Sequence, residues 1–427
     1  MKTYRPRIAD RLLAEKLEAM GTVLIEGPKS CGKTTTAEQQ AGSIVYMDDP
    51  TQVKNNLLLA ETNAKLLLKG KAPRLVDEWQ IAPQLWDAIR FEVDHRDESG
   101  QFILTGSAVP READKNLIRH SGTGRFAWLR MRPMSLWESG ESSGEVSLSR
   151  LFSDDTQCEG VSRLAMEDVA FLICRGGWPQ SIACKQQRAA LLYAQEYYEA
   201  IVRSDISRVD GIERNEQRVR RLMHSYARMQ GSQAGIGTIT QDMKNNEAGS
   251  MSDITVSSYL NALTKIFVVE DMPAWNPNLR SKTAIRTTDT RYFMDPSIAA
   301  AALEIGPDDL LHDLNTFGLF FETLCVRDLR VFADTLGGGV YHYRDKNGLE
   351  CDAVVHIHGG KYGLIEIKLG GDSLIEEGAA NLKKLAGKID TDKMREPSFL
   401  MVLTANSPYA FKRKDGVMVV PIGCLRD

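Results

Sequence analysis

The sequence has no close pair of cysteines. Its seven cysteines (Cys31, Cys158, Cys174, Cys184, Cys325, Cys351 and Cys424) are scattered over 427 residues. That disfavours a zinc knuckle or a disulfide scaffold and fits reduced thiols in a cytoplasmic protein. No apolar run approaches the roughly 18–20 residues that a membrane helix needs, so no membrane span is expected. The start, MKTYRPRIADRLLAEKLEAM, lacks the uninterrupted apolar core of a secretory signal. An excess of either charge is missing too: 53 Lys+Arg against 57 Asp+Glu leaves a net of −4. This argues against a basic protein that coats nucleic acid and against an acidic tail, while leaving room for local patches. There is no internal repeat and no low-complexity tract. What is present is ordinary globular composition, 43% hydrophobic and 26% charged. At about 150 residues per domain, two or three domains are expected.

The first 140 residues alternate short apolar strands with helices, which predicts an α/β domain with a parallel sheet. The strands are Thr22–Glu26, Ser43–Met47, Arg74–Val76 and Gln101–Thr105, with helices such as Lys33–Gln40 and Gln84–His95 between them. Glu138–Asp155, rich in Ser, Gly and acid, reads as an exposed connection. Val161–Asp210 is helical with a break at Arg175–Pro179. Helices at Glu213–Gln230, Thr238–Met243 and Asp253–Ile266 precede strands at Phe267–Glu270 and Arg291–Met294, an order that suggests a winged helix. The last part reads as helix Phe317–Ala333, strands Val340–Arg344, Cys351–His356 and Tyr362–Lys368, helix Ile375–Leu385 and strand Phe399–Leu403. The expected boundaries are 1–140, 141–212 (helical connection or lid), 213–300 and 301–427.

Gly27-Pro28-Lys29-Ser30-Cys31-Gly32-Lys33-Thr34 satisfies GxxxxGK[ST], directly after a strand and directly before a helix. Phosphate chemistry explains these residue types. Glycines let backbone N–H groups turn towards phosphate oxygens, and the helix start, with Thr35 in it, favours an anion. Lys33 is placed to neutralise β and γ oxygens, and the Thr34 hydroxyl to ligate Mg²⁺. Downstream, Leu75-Val76-Asp77-Glu78 ends an apolar strand in two acids. Asp77 suits the Mg²⁺ shell through water, and Glu78 suits activation of the attacking water. Phe102-Ile103-Leu104-Thr105-Gly106-Ser107 ends in hydroxyls where a γ-phosphate sensor belongs, Thr105 first and Ser107 second. Arg125 is a candidate charge-stabilising arginine, in cis or across a subunit boundary, the latter implying a homo-oligomer.

This combination resembles the AAA-superfamily ATPases, and within them prokaryotic ATPases that join an AAA-like domain to a C-terminal domain of unknown function. The likeness runs through GPKSCGKTT, LVDEWQ and FILTGSA near the front and FGLFFETLCVRDLR and GLIEIKLG near the end. It implies ATP as the nucleotide, with Mg²⁺; no guanine-reading NKxD motif is present either.

Near the C-terminus, Glu366 and Lys368 share one face of an apolar strand, Asp352 lies on the strand before it, and Glu322 lies in the preceding helix. This order resembles the PD-(D/E)xK nuclease-like fold. The likeness implies that Asp352 and Glu366 bind Mg²⁺, Lys368 orients or deprotonates a water, and Glu322 completes the metal shell. His342, Tyr343 and Arg344 are candidate phosphate contacts. Glu–Lys pairs on a strand face are also commonly solvated, so a non-catalytic remnant stands beside the active reading. In the middle module, Asp253–Ile266 is the expected recognition helix. The loop Asn278–Arg291, with Arg280, Lys282, Arg286 and Arg291, is the expected basic wing for DNA. Protein docking is its alternative use.

Overall fold

The computed structural model describes residues 4–96, 98–107, 118–153, 158–209, 211–246, 251–280, 282 and 284–427. Parts of the expected connection (154 and 155), the helical stretch (210) and the wing loop (281 and 283) lie outside them. Two compact units form. The first holds the chain up to Arg132 with Arg203–Arg214 and Asn261–Val268; the second holds Pro133–Val202, Asn215–Leu260 and Val269–Asp427.

The first unit is built on β1 (Thr22–Glu26), β2 (Ser43–Tyr46), β3 (Arg74–Asp77), β4 (Phe102–Gly106) and β5 (Phe126–Arg130). They lie in the order β2-β3-β4-β1-β5 and every pairing is parallel. Leu24, Val76 and Leu104 from the central strands pack with Trp79, Trp86, Ile89 and Phe126 into one core. Trp86 stacks on Phe126 with ring centroids 4.0 Å apart. Such a sheet needs apolar residues on both faces, which is why these strands read as continuous apolar runs. The register sets Ile25 beside Thr105 and Glu26 beside Gly106, so the strand ends carrying the motifs are neighbours. Ligands of open parallel sheets bind outside these carboxyl ends.

The second unit carries a seven-stranded sheet and a short pairing of β6 (Val146–Ser147) with β14 (Leu425–Arg426). The sheet comprises β7 (Gly160–Val161), β8 (Gly339–Arg344), β9 (Glu350–His356), β10 (Tyr362–Lys368), β11 (Phe399–Thr404), β12 (Tyr409–Lys412) and β13 (Met418–Pro421). Helix Leu314–Asp334 precedes an antiparallel meander β8-β9-β10; helix Asp372–Lys388 then crosses over to β11, parallel to β10. Asp313 caps the first of these helices, its carboxylate accepting the amides of Asn315 and Thr316.

Two stretches differ from expectation. The serine-rich connection is largely packed rather than exposed: Val146, Leu148, Leu151 and Phe152 are buried. Its serines serve the chain end, Ser142 donating to the Leu425 carbonyl at 2.7 Å and Ser147 to that of Asp427 at 2.8 Å. Composition flagged the polar residues and hid the apolar ones spaced between them. In the middle stretch the helices form at Glu216–Arg228, Ile236–Asn246 and Asp253–Lys265, but in place of a ribbon there are isolated bridges, Val269 with Phe293 and Met272 with Thr290. The expected wing loop runs beside β8 instead. Trp275 N–H donates to the His342 carbonyl at 2.7 Å, and Arg286 N–H to that of Arg344 at 2.8 Å. Covering a sheet edge this way satisfies backbone groups that would otherwise be open to pairing. In the expected recognition helix Tyr259 is buried, whereas Ser257, Ser258 and Asn261 are exposed.

Candidate functional site

The phosphate-loop motif sits between β1 and helix Lys33–Glu38. Gly27 is required by crowding: a Cβ there would stand 2.0 Å from the Met131 carbonyl oxygen. Gly32, at φ 105°, starts the helix from a left-handed conformation that suits glycine. Lys33 is buried, and its ammonium donates to the carbonyls of Gly27 at 2.9 Å and Pro28 at 2.7 Å. An ammonium has three hydrogens, so one donor remains for a phosphate oxygen. Cys31 is buried with its thiol on the Met131 carbonyl at 3.6 Å. Ser30 adopts φ 60°.

Across the strand ends runs a hydrogen-bonded line. Thr34 Oγ1 donates to Asp77 Oδ1 at 2.7 Å, and Thr105 donates to the same oxygen. The Glu78 amide donates to Thr105 Oγ1 at 3.2 Å, and Ser107 donates to Glu78 Oε2 at 3.0 Å. Gln80 also donates to that carboxylate. Glu78 holds φ 54° and ψ 46°, a conformation costly for a residue with a Cβ and often found where a side chain must be aimed. The structure thus brings Thr34, Asp77, Glu78, Thr105 and Ser107 together. A hydroxyl and a carboxylate side by side make a hard-oxygen donor pair that fits Mg²⁺.

Arg125 is not among them. It precedes β5 at the amino ends of the strands and pairs with Asp94 at 2.8 Å. A five-residue strand at ~3.3 Å per residue puts it roughly 15 Å from its own phosphate loop. Sequence reasoning missed two residues that are there. Arg7 braces the loop from beneath, donating to the carbonyls of Cys31 at 2.8 Å and Arg132 at 2.9 Å. Asp205 pairs with Lys29 at 2.6 Å. Neither lies in a local pattern that would mark it.

In the second unit, Asp352 meets Glu366 and Lys368 where the β9–β10 ladder ends. Asp352 Oδ2 accepts the Ile367 amide at 2.7 Å and lies 3.1 Å from Lys368 Nζ, which is itself 2.7 Å from Glu366 Oε2. Glu366 is 1% exposed, and its Oε1 has no hydrogen-bond partner among the described residues. Burial first, then the Asp352 charge, pushes the Glu366 carboxyl up to about 8, with Lys368 pulling the other way. Burial works against the charge on Lys368, but Asp352 and Glu366 outweigh it and hold its pKa high. Glu322 accepts the hydroxyl of Tyr292 and is also pushed up to about 8, by burial and then by Asp352. Among the described residues no group of three or more His, Cys, Asp or Glu stands close enough to hold a metal ion. Asp352 and Glu366 form a carboxylate pair with an unsatisfied oxygen, and Glu322 is turned to another partner. His342 and Tyr343 are buried, His342 bonded to Gln233 at 3.1 Å and the Thr288 carbonyl at 3.0 Å. Of that trio only Arg344 is half-exposed, and it pairs with Glu350 at 3.6 Å.

A family model described as an AAA domain matches residues 20–139. Over this region the chain is similar to AAA-domain proteins. Beyond the AAA domain, residues 166–309 match a domain of unknown function (DUF8612) and residues 317–425 another (DUF4143). Uncharacterized proteins Rv2008c of Mycobacterium tuberculosis and Mb2031c of Mycobacterium bovis are each 22% identical over 365 residues, 85% of this chain and 73% of theirs. Among solved structures, the Walker-type ATPase PABY2304 of Pyrococcus abyssi is 13% identical with a TM-score of 0.39, covering 69% of this chain and 94% of its own. The Aeropyrum pernix ORC1 protein in complex with DNA is 14% identical with a TM-score of 0.25, covering 74% and 95%. No helix among the described residues is long and apolar enough to cross a membrane.

Proposed function

We propose that the AAA domain binds and hydrolyses Mg²⁺·ATP. The supporting observation is the line from Thr34 through Asp77 and Thr105 to Glu78, which joins an ion-binding pair to a general base in one hydrogen-bonded set. Lys33 gives its remaining N–H to the β and γ oxygens, and the loop amides cradle the phosphates. Thr34 and Asp77 would hold the ion. Bound Mg²⁺ would neutralise charge developing on the β and γ oxygens. Glu78 accepts a proton from a water whose oxygen bonds to the γ-phosphorus, while the bond from that phosphorus to the β-γ bridging oxygen breaks and ADP leaves. Thr105 and Ser107 orient this set. Lys33→Ala should abolish ATP binding measured by a fluorescent analogue and hydrolysis measured by phosphate release; unchanged values would refute the assignment.

For the second unit the reading supported best is a PD-(D/E)xK nuclease-like domain acting on nucleic acid, gated by the nucleotide state. Its support is the order helix, three antiparallel strands, helix and parallel strand, with Asp352, Glu366 and Lys368 meeting at one end of the sheet. Lys282 and Arg286 are exposed in the loop beside β8, cationic groups at the same sheet. One observation favours a second reading, a nucleotide-switched regulator with an inactive nuclease-like domain: Lys368 pairs with both carboxylates, and Glu322 is engaged elsewhere. Incubation of DNA and RNA with protein and Mg²⁺ or Mn²⁺, with and without ATP, separates them. Cleavage lost in Asp352→Ala and Lys368→Ala, with ATPase kept, supports the nuclease; no cleavage in any arm supports the regulator.

A further inference from the structure

We propose that Gln80 is a positioning residue for Glu78, its amide fixing which carboxylate oxygen takes the proton of the attacking water. This rests on reading Glu78 as the general base of ATP hydrolysis. Gln80 Nε2 and Ser107 Oγ both donate to Oε2 of Glu78. Two donors on one oxygen leave Oε1 as the proton acceptor and hold the torsions that aim it. A carboxylate only accepts, so the amide turns its NH₂ towards Glu78 and its oxygen away.

That orientation is unfavourable for Gln80 itself. Its Oε1 is buried and has no hydrogen-bond partner among the described residues. It lies against β4, where a Cβ on Gly106 would stand 3.1 Å from it and 3.1 Å from Trp79 Nε1. An amide kept for stability would turn to satisfy both ends; this one leaves its oxygen unmatched and serves the carboxylate. The backbone is bent to the same end. Glu78 sits in the left-handed region at φ 54°, and a short 3₁₀ turn, Trp79–Ile81, follows at once. The Ile81 amide donates to the Glu78 carbonyl at 3.1 Å, and the buried Trp79 packs on Trp86 with ring centroids 5.2 Å apart. This anchored turn returns Gln80 to Glu78. Two local features, each unfavourable alone, thus converge on one carboxylate.

Phosphate release from ATP by the full-length chain tests this, with nucleotide affinity and the calorimetric transition measured beside it. Gln80→Met keeps length and bulk without the polar atoms. It should lower kcat about tenfold to hundredfold, the scale of one hydrogen bond to a charged group, with KM and ATP affinity within about twofold. The transition should stay or rise, because an unmatched buried oxygen is removed. Gln80→Glu keeps the shape, loses the donor and sets two carboxylates face to face, so its kcat should fall at least as far. In a Glu78→Gln background, Gln80→Met should slow phosphate release no further, since the base that it positions is already gone. A merely structural glutamine would lower the transition and slow both backgrounds alike. Unchanged or higher kcat in Gln80→Met, or an equal further loss in the Glu78→Gln background, overturns the proposal. Glu78→Gln alone separates the two claims. If it matches the wild type, or if the wild type releases no phosphate, the general-base reading and the role of Gln80 both fall. If it is slow and Gln80→Met is not, the role of Gln80 alone falls.

Discussion

At the phosphate loop, acids and hydroxyls are matched one to another and the backbone does the aiming; at the β9–β10 site, two acids share one ammonium and an oxygen is left unmatched. Asp77 accepts hydrogen bonds from Thr34 and Thr105, and Glu78 from Ser107 and Gln80. Glu366, by contrast, is buried beside Asp352 with Lys368 as the opposing charge. A ligand at the first site adds to an arrangement already satisfied, using donors left over. A cation at the second must compete with Lys368 for the same carboxylates. Hydroxyl and amide donors preorganise the carboxylates at the first site, whereas at the second burial and the Asp352 charge resist ionisation of Glu366, a resistance that a cation can relieve.

The largest test of this contrast is chemical. Glu78→Gln should lower ATP hydrolysis about 10²–10⁴-fold, the usual worth of a general base, while nucleotide binding persists. The same change should leave Mn²⁺ binding at Asp352 as it was. Loss of nucleotide affinity together with hydrolysis would mean that Glu78 shapes the cradle rather than the chemistry.

Next in size is a structural charge cluster with the bonding completeness that the β9–β10 site lacks. Arg327 pairs with Asp295 at 2.9 Å and Asp328 at 2.7 Å, and all three are buried. Asp295 also accepts the Gly177 amide at 3.0 Å, and Asp328 that of Leu136 at 2.9 Å. Arg327→Met leaves two buried carboxylates uncompensated, at a cost of roughly 3–5 kcal/mol. The corresponding calorimetric transition should fall by roughly 6–20 °C. A shift below about 2 °C would show that this cluster stabilises little.

How much of this was legible depended on distance along the chain. The motif GPKSCGKT and the acids after Val76 announce themselves because strand, loop and helix follow one another, so the geometry is local. The parallel sense of β1 to β4 followed from the same alternation, whereas β5 was not read as a strand. Glu366 and Lys368 were legible as a pair by the period of two. Tyr292 on Glu322 and Arg7 on the loop were not, since each contact joins distant segments and neither residue belongs to a motif. The wing was legible in part: Phe267–Glu270 and Arg291–Met294 do bridge antiparallel, Val269 with Phe293 and the Glu270 amide on the Tyr292 carbonyl at 3.0 Å, but the loop between them runs along β8, a long-range contact that no local pattern marks. Which end of a sheet Arg125 occupies was not legible from its motif; its pairing with Asp94 speaks against the in-cis role only.

The smallest effect sharpens the first half of the contrast. Lys29 lies in the phosphate loop, yet its ammonium is half exposed and held by Asp205 at 2.6 Å. An exposed pair of this kind contributes about 0–1 kcal/mol and is screened by salt. Asp205→Asn should therefore change ATP affinity less than about fivefold, and the change should shrink as ionic strength rises. A loss as large as that of Lys33→Ala would mean that this pair, and not only the backbone and Lys33, shapes the cradle. A small, salt-sensitive change would leave the aiming of the loop to Gly27, Gly32 and the carbonyls that hold Lys33.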